Sequence, residues 1–189
     1  MLPLLLSLLA CASSDPKSVP KASRVDVPVA VESAKADAPA EWCEVKPAAG
    51  QGPTFALPAL AGAPMASSGK PRWVNVWATW CGPCVEEMPR LLKMQQRLAK
   101  EGVDIDLQFL SVDEDAGALA AWKQKNPSIP TMHVAAYADV FPWFKTLGIE
   151  NQTLPTHIFV GADGKVSCAR SAAVEDHHYA SVKQVLSGK

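Results

Sequence analysis

The strongest constraint on this chain is a short stretch near its middle. The uncharged, largely apolar run Trp73-Val74-Asn75-Val76-Trp77 leads through Ala78-Thr79-Trp80 into Cys81-Gly82-Pro83-Cys84. Apolar residues then recur at helical spacing: Val85, Met88, Leu91, Leu92, Leu98 and Ala99 form one stripe, while Glu86, Arg90, Lys93, Arg97 and Lys100 cover the other face. A buried strand therefore feeds directly into an amphipathic helix, with two cysteines at the junction. Pro83 fits a first helical turn, where its missing N–H loses nothing. Pro89 falls inside the helix and predicts a kink, and Gly102 marks its end.

The segments on either side extend this into an α/β domain. Upstream, Pro53 to Gly62 alternates apolar residues between prolines, which predicts a short edge strand. Downstream, Ile105 to Val112 reads as a strand, and Asp115 as the cap of a helix through about Lys125. Asn126-Pro127-Ser128-Ile129-Pro130 breaks the chain. Asp139 is expected to cap a short helix carrying Phe141, Trp143, Phe144 and Leu147, stopped by Gly148. His157 to Val160 and Val166 to Ala169 read as strands of a hairpin turned at Ala162-Asp163-Gly164-Lys165. Tyr179, Val182, Val185 and Leu186 give a last helix from about Val174. This order predicts a mixed central sheet flanked by helices. The aromatics Trp77, Phe141, Trp143 and Phe144 are expected in the core.

The N-terminal part reads differently. Residues 1–10 are almost wholly apolar and end Leu8-Leu9-Ala10-Cys11, too short to span a bilayer as a mature helix. They read as the apolar part of an export signal. The tetrad resembles the bacterial lipobox, which implies a lipidated Cys11 as first mature residue. No Lys or Arg precedes the run, so the true start is expected upstream. Ala12 lacks the aspartate often associated with inner-membrane retention, which favours the outer membrane. Residues 11–40 are rich in Ala, Ser, Pro, Lys and Val and lack aromatics, so they cannot bury enough surface to order themselves. They read as a tether to a domain over residues 41–189. The formal net charge of −1 suggests neither a nucleic-acid partner nor a polybasic membrane patch.

Beyond the cysteine pair, several motifs together resemble one family. The strand and Trp80-Cys81-Gly82-Pro83-Cys84 are similar to the thioredoxin family, and more narrowly to its exported TlpA/ResA-like redoxin branch. Pro53 to Gly62 resembles that branch's N-terminal strand extension. Glu86-Glu87-Met88-Pro89 resembles its post-motif helix, and Leu154-Pro155-Thr156 with Ala162-Asp163-Gly164-Lys165 its cis-proline strand and hairpin. The resemblance covers about residues 53–189. It implies a thioredoxin fold and a thiol–disulfide oxidoreductase without cofactor. It further implies reduction of protein disulfides in the cell envelope, of the cytochrome c maturation or copper-site assembly type, with a membrane electron donor.

The residues specify a chemistry to match. A dithiol exchanger needs two thiols close enough to bridge, one exposed and one shielded. Cys81 would meet the positive end of the helix dipole and unpaired N–H groups, which favour a thiolate, so it is the expected nucleophile. Cys84 is the expected resolving thiol. Cytoplasmic thioredoxins carry a buried aspartate six residues before the first cysteine. Asn75 stands there and cannot act as a base. Glu87, one turn beyond Cys84, is the expected proton acceptor by resemblance; otherwise it faces solvent like Glu86. Trp80, Gly82, Pro83, Leu154 and a cis Pro155 are the expected substrate wall. Cys43 and Cys168 can pair in an oxidising compartment, tying the N-terminal extension to the hairpin. Three other readings stand beside this: a net oxidant, a static disulfide or half zinc site, and a copper chaperone with His157 as third ligand.

Overall fold

The computed structural model describes residues 39–188. The expected signal segment, the expected lipidation site at Cys11 and nearly all of the expected tether lie outside them. A single helical turn, α1 (Pro39–Trp42), precedes β1 (Arg72–Trp77), α2 (Gly82–Lys100), β2 (Asp106–Ser111), α3 (Ala116–Lys125) and β3 (Thr131–His133). A 3-10 turn (Tyr137–Asp139) enters α4 (Val140–Thr146). Then come β4 (Thr156–Val160), β5 (Val166–Arg170), a second 3-10 turn (Asp176–His178) and α5 (Tyr179–Ser187). The strands form one sheet in the order β3-β2-β1-β4-β5. β1 runs parallel to β2 and antiparallel to β4, so the sheet is mixed, as the sequence predicts.

β1 sits at the centre because its run from Trp73 to Trp77 carries no charge. Trp73, Val74, Asn75, Val76 and Trp77 are all completely buried. The two indoles still find partners: Trp73 Nε1 donates to His157 Nδ1 at 3.1 Å, and Trp77 Nε1 to Thr131 Oγ1 at 3.0 Å. α2 covers the sheet with Cys84, Glu87, Met88, Leu91, Met94 and Leu98 buried. Full burial of one such aliphatic side chain stabilises by about 1.5–3 kcal/mol. The buried stripe differs from the predicted one at its edges: Val85 and Leu92 are half-buried, Ala99 is exposed, and Met94 and Glu87 take their places. The helix continues through Pro89, and Gly102, at φ +80°, terminates it.

Four features depart from the sequence reading, each for a physical reason. Pro53 to Gly62 forms no ladder. It touches the sheet through single bridges, Thr54 to Lys165 and Leu60 to Val134, because Pro53 and Pro58 have no N–H to donate. Here Gly52 is required by space, since a Cβ would come within 1.8 Å of the Val166 carbonyl oxygen. β3 was invisible in the pattern, being three residues long and following a proline-rich break. Asp139 stands at the N-cap of α4 but its side chain makes no cap hydrogen bond, because the preceding 3-10 turn already supplies the entry. The last helix begins at the 3-10 turn at Asp176 rather than at Val174, which is occupied in contacts with α2.

The N-terminal segment is fastened to β5. Glu44 and Val45 N–H donate to Ala169 O at 2.8 and 3.2 Å, and Ala169 N–H returns a bond to Val45 O at 2.9 Å. Beside them Cys43 and Cys168 are joined by a disulfide, 125 positions apart in sequence. Among the described residues no helix is long and apolar enough to cross a membrane.

Candidate active site

The site is built where β1 ends. Beyond Trp77 the chain turns through Ala78, Thr79 and Trp80, and Cys81 N–H closes the turn onto Ala78 O at 3.1 Å. Asp113, just past β2, holds this turn. Its buried carboxylate accepts the Thr79 N–H at 3.0 Å, the Thr79 hydroxyl at 2.6 Å and the Ser111 hydroxyl at 2.7 Å. Sequence reasoning missed Asp113. Its only local signal was an acid directly after a strand that neighbours β1.

Cys81 is the N-cap of α2, with extended backbone (φ −84°, ψ 94°), and its Sγ accepts the Cys84 N–H at 3.3 Å. An acceptor there takes up one of the unpaired donors of the first helical turn. Cys81 and Cys84 form a disulfide, with S–S 2.00 Å. Cys81 keeps 6% of its surface exposed and Cys84 none. The expected order of access therefore holds, although Cys81 is nearly buried in this disulfide form. Gly82 and Pro83, between them, are exposed. Among the described residues Trp80 is the large hydrophobic residue left in solvent, at 63% exposure, whereas Trp77 is core. Of the other aromatics, Trp143 and Phe144 are buried and Phe141 is half-buried against Tyr137.

Glu87 does not face solvent; only 1% of its surface remains exposed. Asn75 Nδ2 donates to its Oε1 at 2.8 Å, and the backbone N–H of Val174 donates to its Oε2 at 2.8 Å. His157 Nε2 lies 3.2 Å from Oε1, close enough for electrostatic contact though not aligned as a full hydrogen bond. Asn75 thus stays in the site as a donor to the acid rather than as a base. Arg90, one turn further on, donates to Val174 O at 2.9 Å and pairs with Glu175 at 3.0 Å, so α2 grips the segment before α5 twice.

The Leu154–Pro155 peptide bond is cis. β4 pairs Thr156 with Val76, so Pro155 arrives beside the end of β1 from which the Cys81 turn departs. Leu154 is half-buried and Pro155 buried. Next to Trp80, a groove of about 440 Å³ is lined by Thr79, Trp80, Asp113, Glu114, Asp115, Ala118 and Tyr137. A hollow of about 300 Å³ lies at the opposite end of the sheet, between Gly50, Pro71 and Gly161, and holds no thiol. His157 is fully buried, with Nδ1 taken by Trp73 and Nε2 facing Glu87, so it offers no open lone pair to a copper ion. Among the described residues no three His, Cys, Asp or Glu side chains group as a metal site.

This geometry agrees with the comparisons. The redoxin family profile matches residues 48–186. The chain belongs to the redoxin family. It is 31% identical over 101 residues to the thiol-disulfide oxidoreductase ResA of Bacillus thuringiensis, covering 52% of this chain and 53% of that protein. It is 33% identical over 75 residues to the thioredoxin-like protein YneN of Bacillus subtilis, covering 38% of this chain and 44% of that one. The chain spans about half the length of the curated relatives it matches. Among solved structures, a thiol:disulfide interchange protein of the thioredoxin family from Chlorobium tepidum superposes with TM-score 0.52 at 24% identity, over 72% of this redoxin and 93% of that chain. A thioredoxin-like protein from Neisseria meningitidis gives TM-score 0.52 at 21% identity, over 71% and 88%. The fold of this redoxin is thus the thioredoxin fold.

Proposed function

We propose that this redoxin is a thiol–disulfide oxidoreductase that reduces protein disulfides in the cell envelope. The observation that carries the reading is Cys81 as N-cap of a 19-residue helix, bonded to Cys84, with Glu87 buried one turn further on. In the reduced protein the helix terminus favours a Cys81 thiolate. That thiolate attacks one sulfur of a substrate disulfide; the Cys81–substrate S–S bond forms as the substrate S–S bond breaks, and the first substrate thiolate leaves. Cys84 passes its proton to Glu87, attacks Cys81 Sγ and displaces the second substrate thiolate. Two electrons have moved to the substrate, and the Cys81–Cys84 disulfide is left. A membrane electron donor would return it to the dithiol.

Trp80, Gly82 and Pro83 are exposed on one side of the cysteines, and Leu154 with cis Pro155 forms the wall at the neighbouring strand end. Together they would bind the extended segment around the substrate cysteine. The Cys43–Cys168 bond is structural in this reading. Cys11 carries the lipid anchor, and residues 11–40 hold the domain away from an envelope membrane, with the outer membrane favoured. Cytochrome c maturation and copper-site assembly are the substrate settings suggested by the resemblance.

The test is a Cys84→Ser variant expressed in the native host. Mixed disulfides through Cys81 should accumulate and identify the substrates. No trapped partner under any growth condition would sink the exchange mechanism. The reduction potential decides direction: a value close to about −120 mV rather than about −270 mV would make the protein an oxidant.

A further inference from the structure

The ring of His157 is fixed by what surrounds it. Trp73 Nε1, which can only donate, points at His157 Nδ1 from 3.1 Å, and Asn75 Nδ2, also a donor, lies 3.4 Å from the same nitrogen. The Asn75 amide has one sensible orientation, because its other end would set an oxygen against the Glu87 carboxylate, 2.8 Å away. Nδ1 therefore carries no proton. The single proton of the neutral ring sits on Nε2, 3.2 Å from Glu87 Oε1. Charging the ring would put a second N–H against the Trp73 N–H in a fully buried site.

Glu87 thus accepts one hydrogen bond at each oxygen, from Asn75 at Oε1 and from the Val174 N–H at Oε2, and His157 Nε2 lies beside Oε1 without hydrogen-bond alignment. The elements that carry the cluster supply few other charges. β1 carries Arg72, at its far end, and β4 has no other titratable group. Of the neighbours of Glu87 on α2, Cys84 lies one turn back and Glu86 faces outward. Arg90 is turned to Glu175 and Asp176 at 3.0 and 3.6 Å, and those acids belong to the segment that follows Val174. Local N–H dipoles, rather than a cation, would therefore balance the carboxylate.

We propose that His157 is a positioning residue for Glu87: locked as the neutral Nε2–H tautomer by Trp73, it holds that N–H 3.2 Å from Oε1, off the hydrogen-bond axis, where its positive end stabilises the carboxylate that takes the proton from Cys84. The proposal rests on the reading of Glu87 as proton acceptor. It gives His157 neither metal binding nor proton uptake.

A single-turnover experiment separates the two layers. Reduced protein is mixed with a chromogenic aryl disulfide, and release of the second aryl thiolate, which reports attack by Cys84, is followed against pH. Wild type should show an acid limb that Glu87→Gln abolishes. His157→Leu should move the midpoint of that limb upward by about one pH unit, a loss of about tenfold in rate on the limb. His157→Gln, which restores an amide donor, should bring the midpoint most of the way back. Adding His157→Leu to Glu87→Gln should change nothing further. An unmoved midpoint in His157→Leu, with the limb still lost in Glu87→Gln, overturns the role of His157 alone. A limb that survives Glu87→Gln overturns the role of Glu87 and this inference with it. Nitrogen NMR of the wild-type ring needs no variant to fold: an imidazolium or an Nδ1–H tautomer anywhere between about pH 5 and 8 refutes the proposal.

Discussion

Replacing Cys43 and Cys168 together with alanine tests how the N-terminal segment is held. The bonded residues are 125 positions apart. In the chain-entropy treatment a loop of that length costs the unfolded chain about 16 cal/mol/K, or about 5 kcal/mol at 25 °C. Alanine is the right replacement because both positions are buried, at 7% and 0% exposure. A serine hydroxyl left unpaired there would add about 1–3 kcal/mol of its own. The hydrogen bonds of Glu44 and Val45 to Ala169, and of Arg170 to Trp42 O at 3.0 Å, do not depend on the sulfurs and should keep the segment in place in the folded state. The loss is therefore expected in stability, with the fold retained. With a urea slope of about 2 kcal/mol/M for a domain of this size, the midpoint should fall by about 2.5 M. Unfolding is followed by tryptophan fluorescence without reductant, so that both disulfides of the wild type stay intact. Either single alanine variant should lose nearly as much as the double, since one cysteine cannot bridge. A fall of less than about 0.5 M, with both cysteines alkylated in unreduced wild type, would refute the reasoning.

Two further outcomes are expected. Asp113→Ala removes three hydrogen bonds to Thr79 and Ser111 and should cost about 2–3 kcal/mol, with slower disulfide exchange because the turn carrying Trp80 and Cys81 loosens; an exchange rate equal to wild type in the folded variant would show that the turn is held by other contacts. Glu101 is held down to about 2, first by its hydrogen bond from Lys183 and then by that from Arg97. Its folded-state value lies below the ordinary 4.5, so its contribution to stability is present above about pH 4.5 and is lost as pH falls toward 2. The stability gap between wild type and Glu101→Gln should close over that window in acid-unfolding measurements, and a carboxyl NMR midpoint near 4.5 would contradict it.

Local sequence revealed the parts of the site that local chemistry determines. A strand, a cysteine pair and an amphipathic helix in succession place Cys81 at a helix start and Cys84 on its buried face, and helical spacing alone brings Glu87 to the same side as Cys84. The partners of Glu87 were not legible in this way. Val174 lies 87 positions away along the chain, and His157 reaches the acid only because β4 pairs beside β1. A histidine on a strand carries no sign of what faces it across a sheet. The same limit explains β3, whose three residues are strand only because β2 offers an edge. It explains Pro53 to Gly62 as well, where alternation suggested a ladder that two prolines prevent. Asp113 joined the site through a neighbouring strand end, a relation that only register reveals.

The bond between Cys43 and Cys168 also sets a path for mechanical force. A pull on the chain ahead of Cys43 passes through the sulfur atoms into β5, at the rim of the sheet, and skips the intervening polypeptide, which includes β1, the Cys81 turn, α2 and β4. Residues 44–71 cannot be peeled away under such a load, because they lie inside the closed loop. The redox helix therefore stays slack while the domain is held from its N-terminal end, and a substrate joined to Cys81 would feel tension only through the lateral pairing of β5, β4 and β1. Reducing the outer bond would reroute that load along the main chain toward the strand that carries the thiols.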